Sequence, residues 1–268
     1  MPGPLLPLLD LPGVEEAVAS ARAAVDAVLA DGAMRRSGPQ VALESSLRGA
    51  RASAALEGVA VDLEYLRSGN IRLDHPGRPV VQAALRVAQE IPSLVDVWRR
   101  APAQALARLH AVAAADLTDD IGVDAIGRPR SGPPALDALP EVPVPSAPAA
   151  AERLDVLMDV IASSDDVSAL VLAAVVHGEL LVLRPFGTRD GLVARAALRL
   201  VLRTRGFDPR GVTVPEAGFA VEGRRSYVDE VAGFVAGTPE GLGAWLGANA
   251  RSIETGATES LAVCRSFD

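Results

Sequence analysis

The segment from His177 to Arg195 carries the residues whose types and spacing could do chemistry. A long apolar helix is predicted up to Arg184, a short turn follows over Gly187–Gly191, and a second apolar helix carries Arg195. The first amide N–H groups of a helix have no partner within it, so the second helix would point them into the turn. With the helix dipole, this geometry favours an anion. A plain Pro/Gly connection between two helices is the alternative interpretation.

The turn sequence, R-P-F-G-T-R-D-G-L-V-A-R over residues 184–195, resembles the signature H-P-F-x-[D/E]-G-N-G-R-x-x-R of Fic domain proteins. Upstream, the segment Ser53–Gly58 (S-A-A-L-E-G) matches [S/T]-x-x-x-E-[G/N], the inhibitory helix motif of that family. The order and spacing of these motifs extend the resemblance over residues 40 to 250. The resemblance implies an all-α fold, a Fic-type helical bundle with a short flap or hairpin excursion.

The resemblance also shows where the chemistry of the family is missing. In an active member, the leading His takes a proton from a target hydroxyl that attacks the α-phosphate of ATP, and the acidic residue holds Mg²⁺. Here Arg184 stands at the base position, and a guanidinium with a pKa above about 12 has no lone pair for a proton. Thr188 stands at the acidic position and lacks the carboxylate that Mg²⁺ favours. No catalytic residue is therefore intact, and Mg²⁺ is not expected.

Three further positions of the signature differ. Arg189 replaces a Gly, Asp190 replaces the Asn with a charge that would repel phosphate, and Leu192 replaces an Arg that would contact phosphate. The residues that shape the turn are retained. The degenerate nucleotide-binding loop suggested by the resemblance comprises Arg184, Pro185, Phe186, Gly187, Thr188, Arg189, Asp190, Gly191 and Arg195.

The inhibitory motif supplies one geometric expectation. In inhibited family members, the motif Glu pairs with the second Arg of the signature, and both residues are present here as Glu57 and Arg195. We therefore expect a Glu57–Arg195 salt bridge, with Ser53 and Gly58 completing the inhibitory motif. The alternative is a solvated Glu57 and an ordinary surface Arg195.

The elements that position these motifs are all predicted to be helical, because apolar residues recur at helical spacing between Pro and Gly interruptions. No segment alternates strongly enough for a large sheet. The predicted helices cover Val14–Leu29, Val41–Leu66 with a break near Gly58, Pro79–Ile91, Pro92–Arg99, Gln104–Leu117, Ala149–Ser163, Val167–Leu183, Leu192–Arg205, Arg224–Ala236 and Leu242–Ile253.

The Gly122–Pro148 segment has no helical period and is rich in Gly and Pro, which predicts a loop or hairpin excursion. In the family this region is a flap that docks the backbone of the target, although Pro133, Pro134 and Pro140 argue against such docking here. We divide the chain into an N-terminal helical region over 1–100 that contains the inhibitory-type helix, a Fic-like core over 101–255 and a flexible tail over 256–268.

Composition excludes several other chemistries. All 26 basic residues are Arg, so no lysine base, Schiff-base lysine or P-loop lysine is available. The single Cys excludes an internal disulfide, and the net charge of −8 disfavours a nucleic-acid partner. No apolar stretch reaches the roughly 20 residues of a membrane span, so we expect a cytoplasmic protein. His75, His110 and His177 show no metal-ligand spacing, and no metal site is predicted.

Three functions remain open. The first is a catalytically inactive pseudoenzyme of the protein AMP-transferase family that binds or regulates an unidentified protein partner. The second is a nucleotide-binding transferase in which Arg184, Arg189 and Arg195 hold the phosphates of ATP without Mg²⁺. The third is a structural, dimerising helical protein, and by resemblance a homodimer is also expected.

Overall fold

The computed structural model describes residues 4–69, 75–136 and 139–267, and over these ranges it contains α-helices and two short 3₁₀ helices but no strand. Asp137 and Ala138 of the Gly122–Pro148 segment lie outside the described residues. The 3₁₀ helices are Leu6–Asp10 and Val123–Ala125. The α-helices are α1 (Val14–Ala30), α2 (Gly32–Leu56), α3 (Leu63–Ser68), α4 (Arg78–Arg100), α5 (Pro102–Ala113), α6 (Thr118–Ile121), α7 (Ala147–Ser163), α8 (Ala169–Leu183), α9 (Asp190–Thr204), α10 (Pro215–Glu222), α11 (Arg224–Ala236) and α12 (Pro239–Arg265).

The helices α8 and α9 form the centre of the fold. Helix α8 is apolar on nearly all sides, and a helix of that kind must be buried on all sides. It packs against α7, α9, α11 and α12, while α9 also packs against α4 and α5. All residues from Asp190 to Leu202 are buried. The turn that joins α8 to α9 therefore lies at the middle of the molecule.

Helix α2 brings Ser53, the first residue of the Ser53–Gly58 motif, against α9 next to the α8–α9 turn. It packs against α4, α10 and α12, and Ser53 lies in its last turn. The helix begins at Gly32, well before the expected start at Val41, because Asp31 caps it by accepting a hydrogen bond from the Ala33 amide. It bends at Ser37, which has φ −131°, before Pro39.

Two sequence expectations are wrong. Helix α4 does not split at Pro92 but runs through it, because Ile91, Leu94 and Trp98 bury the apolar face of α4 on both sides of the proline and hold the helix together. The predicted flexible tail after Gly256 is instead the last part of α12, which continues to Arg265.

The end of α12 is fixed by packing that no local pattern reveals. Ala257, Val263 and Cys264 are buried in a small cluster with Met34 of α2. Ser260 of α12 donates a 2.6 Å hydrogen bond to the carbonyl of Val212, which lies outside this helix. Across the described ranges, none of the helices combines the length and the apolar character that crossing a bilayer requires.

Candidate functional site

The turn between α8 and α9 begins and ends with arginines in the left-handed region. Arg184 has φ 44° and Arg189 has φ 55°, a conformation that costs a non-glycine residue about 1 kcal/mol. Arg189 is the N-cap residue of α9, and its guanidinium bonds Asp116 at 3.0 Å. Asp116 also pairs with Arg86 of α4. The side chain of Arg189 is therefore bound to the loop after α5.

The amides of the turn bind a carboxylate that belongs to the protein. The Phe186 amide donates to Oδ1 of Asp190 at 3.0 Å, and the Gly187 amide also donates to this carboxyl group. Asp190 is 6% exposed, and burial raises its pKa to about 8. The expected repulsion of phosphate needs the ionised form of Asp190. In either form, the Asp190 carboxyl group takes the amide donors that an external anion would use.

Arg184 occupies the position that the resemblance assigns to the general base of active members. Its side chain points into the Gly122–Pro148 segment, called the flap below. Its guanidinium donates to the carbonyls of Leu139 at 2.8 Å, Val142 at 2.7 Å and Pro143 at 2.9 Å. Only 3% of the residue is exposed. A buried guanidinium needs acceptors for its donors, and here the flap carbonyls supply them for Nη1 and Nη2.

The first half of the flap is fastened to the same turn. The amide of Arg130 donates to Pro185 O at 2.8 Å, and the amide of Leu136 donates to Gly187 O at 3.0 Å. The Arg130 side chain adds hydrogen bonds to the carbonyls of Leu183, Arg184, Gly132 and Pro145. The described part of the excursion is thus a loop held against the turn along its length.

Little room remains under the flap. The cavity beside Arg184, Asp190 and Gly191 has a volume of about 10 Å³, and Leu136, Leu139 and Leu181 complete its wall. That is roughly the space for one water molecule, whereas ligand sites usually provide at least about 300 Å³.

The expected Glu57–Arg195 salt bridge is confirmed. Nη2 of Arg195 lies 2.7 Å from Oε1 of Glu57, and the two side chains are 2% and 9% exposed. Arg195 also donates to the Ser53 hydroxyl at 2.7 Å and to the Ser53 carbonyl at 3.2 Å. Gly191 permits this approach, since any Cβ there would overlap with Oε1 of Glu57. Gly58, with φ +87°, takes the chain away from the end of α2.

A buried polar chain continues from Arg195 to α12. The Tyr227 hydroxyl lies 3.5 Å from Nη1 of Arg195 and 2.7 Å from Nε2 of His177, whose Nδ1 lies 3.2 Å from Oδ1 of Asn249. Burial lowers the pKa of His177 to about 3 and raises the pKa of Tyr227 to about 12. His177, on the helix that leads to the turn, does not face the cleft but lies in this core network. Asn249 was missed because it is 72 residues away.

The contact of His110 with the turn is another feature that the sequence does not reveal. The Gly127 amide donates to its Nδ1 at 2.9 Å, so Nε2 carries the proton and donates to the Thr188 hydroxyl at 2.9 Å. Its ring stacks on Phe186 at 4.4 Å, and burial lowers its pKa to about 4. Because Nε2 is a donor here, His110 holds Thr188 in place and does not act as its base.

Thr188 is buried and its hydroxyl is hydrogen-bonded to His110. Among the described residues, no carboxylate forms a hydrogen bond with the Thr188 hydroxyl. Within residues 4–69, 75–136 and 139–267, no three His, Cys, Asp or Glu side chains group together as a metal site would need.

On the other side of the turn lies a wider cavity of about 530 Å³. The turn residues Phe186–Thr188 form one wall, and the segments 120–125 and 128–135 supply most of the rest. The charged side chains on this cavity include Asp120, Asp124 and Arg128, all exposed.

Comparisons with known proteins establish the fold. No family model matches the sequence, and no curated protein matches it either. Solved structures do match, among them a Fic family protein from Desulfovibrio desulfuricans G20, with a TM-score of 0.73, 20% identity and coverage of 94% of this chain and 75% of that one. Another is Fic-1 from C. elegans, with a TM-score of 0.69, 19% identity and coverage of 97% of this chain and 73% of that one. The predicted all-α, Fic-type fold is confirmed.

The buried Glu57–Arg195 pair should carry measurable stability. Glu57→Gln leaves the Arg195 guanidinium buried without its counter-charge, and we expect the free energy of unfolding to fall by about 3 kcal/mol. Chemical denaturation measures this loss. Glu64→Gln is the control, because Glu64 pairs with Arg67 at the surface, where the loss should stay below about 1 kcal/mol. Equal losses in the two variants would contradict the importance of the buried pair.

Asp190 should make stability depend on pH. Its pKa is raised from 3.8 to about 8 in the folded chain, so the folded state binds this proton more tightly than the unfolded state. Its contribution is complete below about pH 4 and is lost as the pH rises towards 8. Relative to Asp190→Asn, the wild-type chain should lose up to about 1.4 kcal/mol per pH unit within this window. Denaturation of both proteins at pH 5 and pH 8.5 tests this, and an unchanged difference would refute it.

Proposed function

We propose that this chain is a non-catalytic protein with the Fic fold, which does not transfer AMP and which acts by binding a partner. The observation that carries the proposal is the environment of Arg184. The residue at the position of the general base is a buried guanidinium that donates to three carbonyls of the flap. It can neither accept a proton nor leave the cleft open.

The other groups of the turn support the same proposal. The amides that could hold a phosphate bind the Asp190 carboxylate. The remaining cavity under the flap, at about 10 Å³, is smaller than a nucleotide by more than an order of magnitude. Binding a nucleotide there would require the flap and α2 to move away from the turn.

The alternative of Mg²⁺-independent nucleotide binding needs three arginines that are free to hold phosphates. In this structure, Arg184 bonds the flap, Arg189 bonds Asp116 and Arg195 bonds Glu57 and Ser53. Each of these contacts would have to break before the guanidinium could bind a ligand. The geometry therefore favours a structural use of the arginines over a phosphate site.

A binding role is supported by the cavity of about 530 Å³ on the other side of the turn, which lies within the usual size range for ligand sites. Asp120, Asp124 and Arg128 lie along it and form no salt bridge with any residue that the structure describes. Unpaired charges of both signs beside a cavity can serve to recognise a polar partner.

Incubation with labelled ATP and Mg²⁺ tests the loss of AMP transfer. We expect no label on the chain or on added proteins, and no thermal shift with ATP in the presence or absence of Mg²⁺. Arg184→His should also remain inactive, because Thr188, Asp190 and Leu192 still lack the groups that hold metal and phosphate. Robust labelling would overturn the proposal. A Mg²⁺-independent shift that Arg195→Ala abolishes would favour the arginine alternative.

A screen of small polar compounds by thermal shift tests the cavity as the binding site. Gly132→Trp should abolish the shifts, because Gly132 lines the cavity and a side chain there would extend into open space. Gly243→Trp is the matched control on α12, where the surroundings are also open. The control should keep the shifts of the wild-type chain, and shifts that persist in Gly132→Trp would remove this cavity from the proposal.

A further inference from the structure

Beside α2, an ion pair joins Arg199 of α9 to Glu216 of α10, and its N–O distance is too long for a hydrogen bond. Nη1 of Arg199 lies 3.7 Å from Oε1 of Glu216, and both side chains are only 6% exposed. Nη2 of Arg199 donates to Gly211 O at 3.0 Å and so fixes the guanidinium from the other side. A polar gap of this length between buried groups is the usual place for a bridging water.

Two polar groups beside this gap have hydrogen-bonding capacity that no described residue uses. Oε2 of Glu216 is buried and accepts no hydrogen bond from the described residues. The Ser53 hydroxyl accepts from Nε of Arg195, so its own proton needs an acceptor, and its hydrogen bonds within the described chain include none. An unsatisfied buried carboxylate oxygen costs free energy that native proteins rarely leave uncompensated.

Ser53 and Glu216 line the same small cavity, whose volume of about 10 Å³ is close to the space that one water occupies. Gly49 leaves this space open, because a Cβ there would lie 2.9 Å from Nη1 of Arg199 and 3.3 Å from Oε2 of Glu216. The other walls are apolar side chains of α2, α4 and α9. They supply none of the additional oxygen ligands that a metal cation would require.

We propose that this cavity is a binding site for a single structural water molecule, which accepts a hydrogen bond from the Ser53 hydroxyl and donates one to Oε2 of Glu216. Through Ser53 and Glu216, the water connects Arg195 with Arg199, which lies one turn further along α9. The network then runs from Glu57 through Arg195 and Ser53 to the water, and from there through Glu216 to Arg199.

The bridge has a positional consequence for α2. Ser53 contacts Arg195 through its hydroxyl, and the water fixes the direction of that hydroxyl's proton. The oxygen lone pair is thereby turned towards Nε of Arg195. Glu216 is thus a positioning residue for the Ser53–Arg195 contact, and this holds whether or not the chain transfers AMP.

A crystal structure of the wild-type chain at high resolution tests the site directly. We expect spherical density within hydrogen-bond distance of both Ser53 Oγ and Glu216 Oε2. Magnetic relaxation dispersion of water nuclei should count one long-lived water more in the wild type than in Gly49→Ala, whose methyl group occupies the site. A high-resolution map with no density within hydrogen-bond distance of both Ser53 Oγ and Glu216 Oε2 would overturn the proposal.

Thermal unfolding adds a readout that separates the site from helix propensity. Alanine favours a helix over glycine, so Gly243→Ala, in open surroundings on α12, should raise the melting temperature. Gly49→Ala should lower it, because it displaces the water and crowds the ion pair. A rise of equal size in both variants would show that no bridging water is lost and would contradict the inference. If Gly49→Ala does not fold, the wild-type density still decides the question.

Discussion

The buried guanidinium of Arg184 is the constraint on which the site depends. A cation in the protein interior is tolerated only when its donors are bonded, and here the flap carbonyls of Leu139, Val142 and Pro143 bond it. The flap must therefore lie on the turn. In the function that we propose, this one side chain both leaves the turn without a proton acceptor and keeps the flap over it.

The neighbouring charges follow the same rule. Asp190 binds amides of its own turn, Arg195 binds Glu57 and Ser53, and Arg189 binds Asp116. Every one of these groups lies where α8 and α9 meet, the most deeply buried connection in the described chain. These groups do not face a ligand. Their bonds instead hold α2, the flap and the loop after α5 around one turn.

Most of the helices could be predicted because their apolar spacing is local, although the short α6 and α10 were not. The helix through Pro92 and the end of α12 depend on packing against distant residues. Glu57 and Arg195 could be paired only through the resemblance, since 138 residues separate them. The place of the Asp190 carboxylate depends on backbone angles of the turn, which residue types alone do not reveal. His110 reaches Thr188 across 78 residues, so nothing near either residue announces the contact.

The separation of Arg184 and Arg130 from their partners also bears on how the chain folds. Helices α8 and α9 are joined by a short turn, so they can pair early at little entropic expense. The bonds between the flap and this turn span 41 to 55 residues. They become available only when the turn has its final shape. We therefore expect the flap to dock late in folding, onto an α8–α9 hairpin that has already formed.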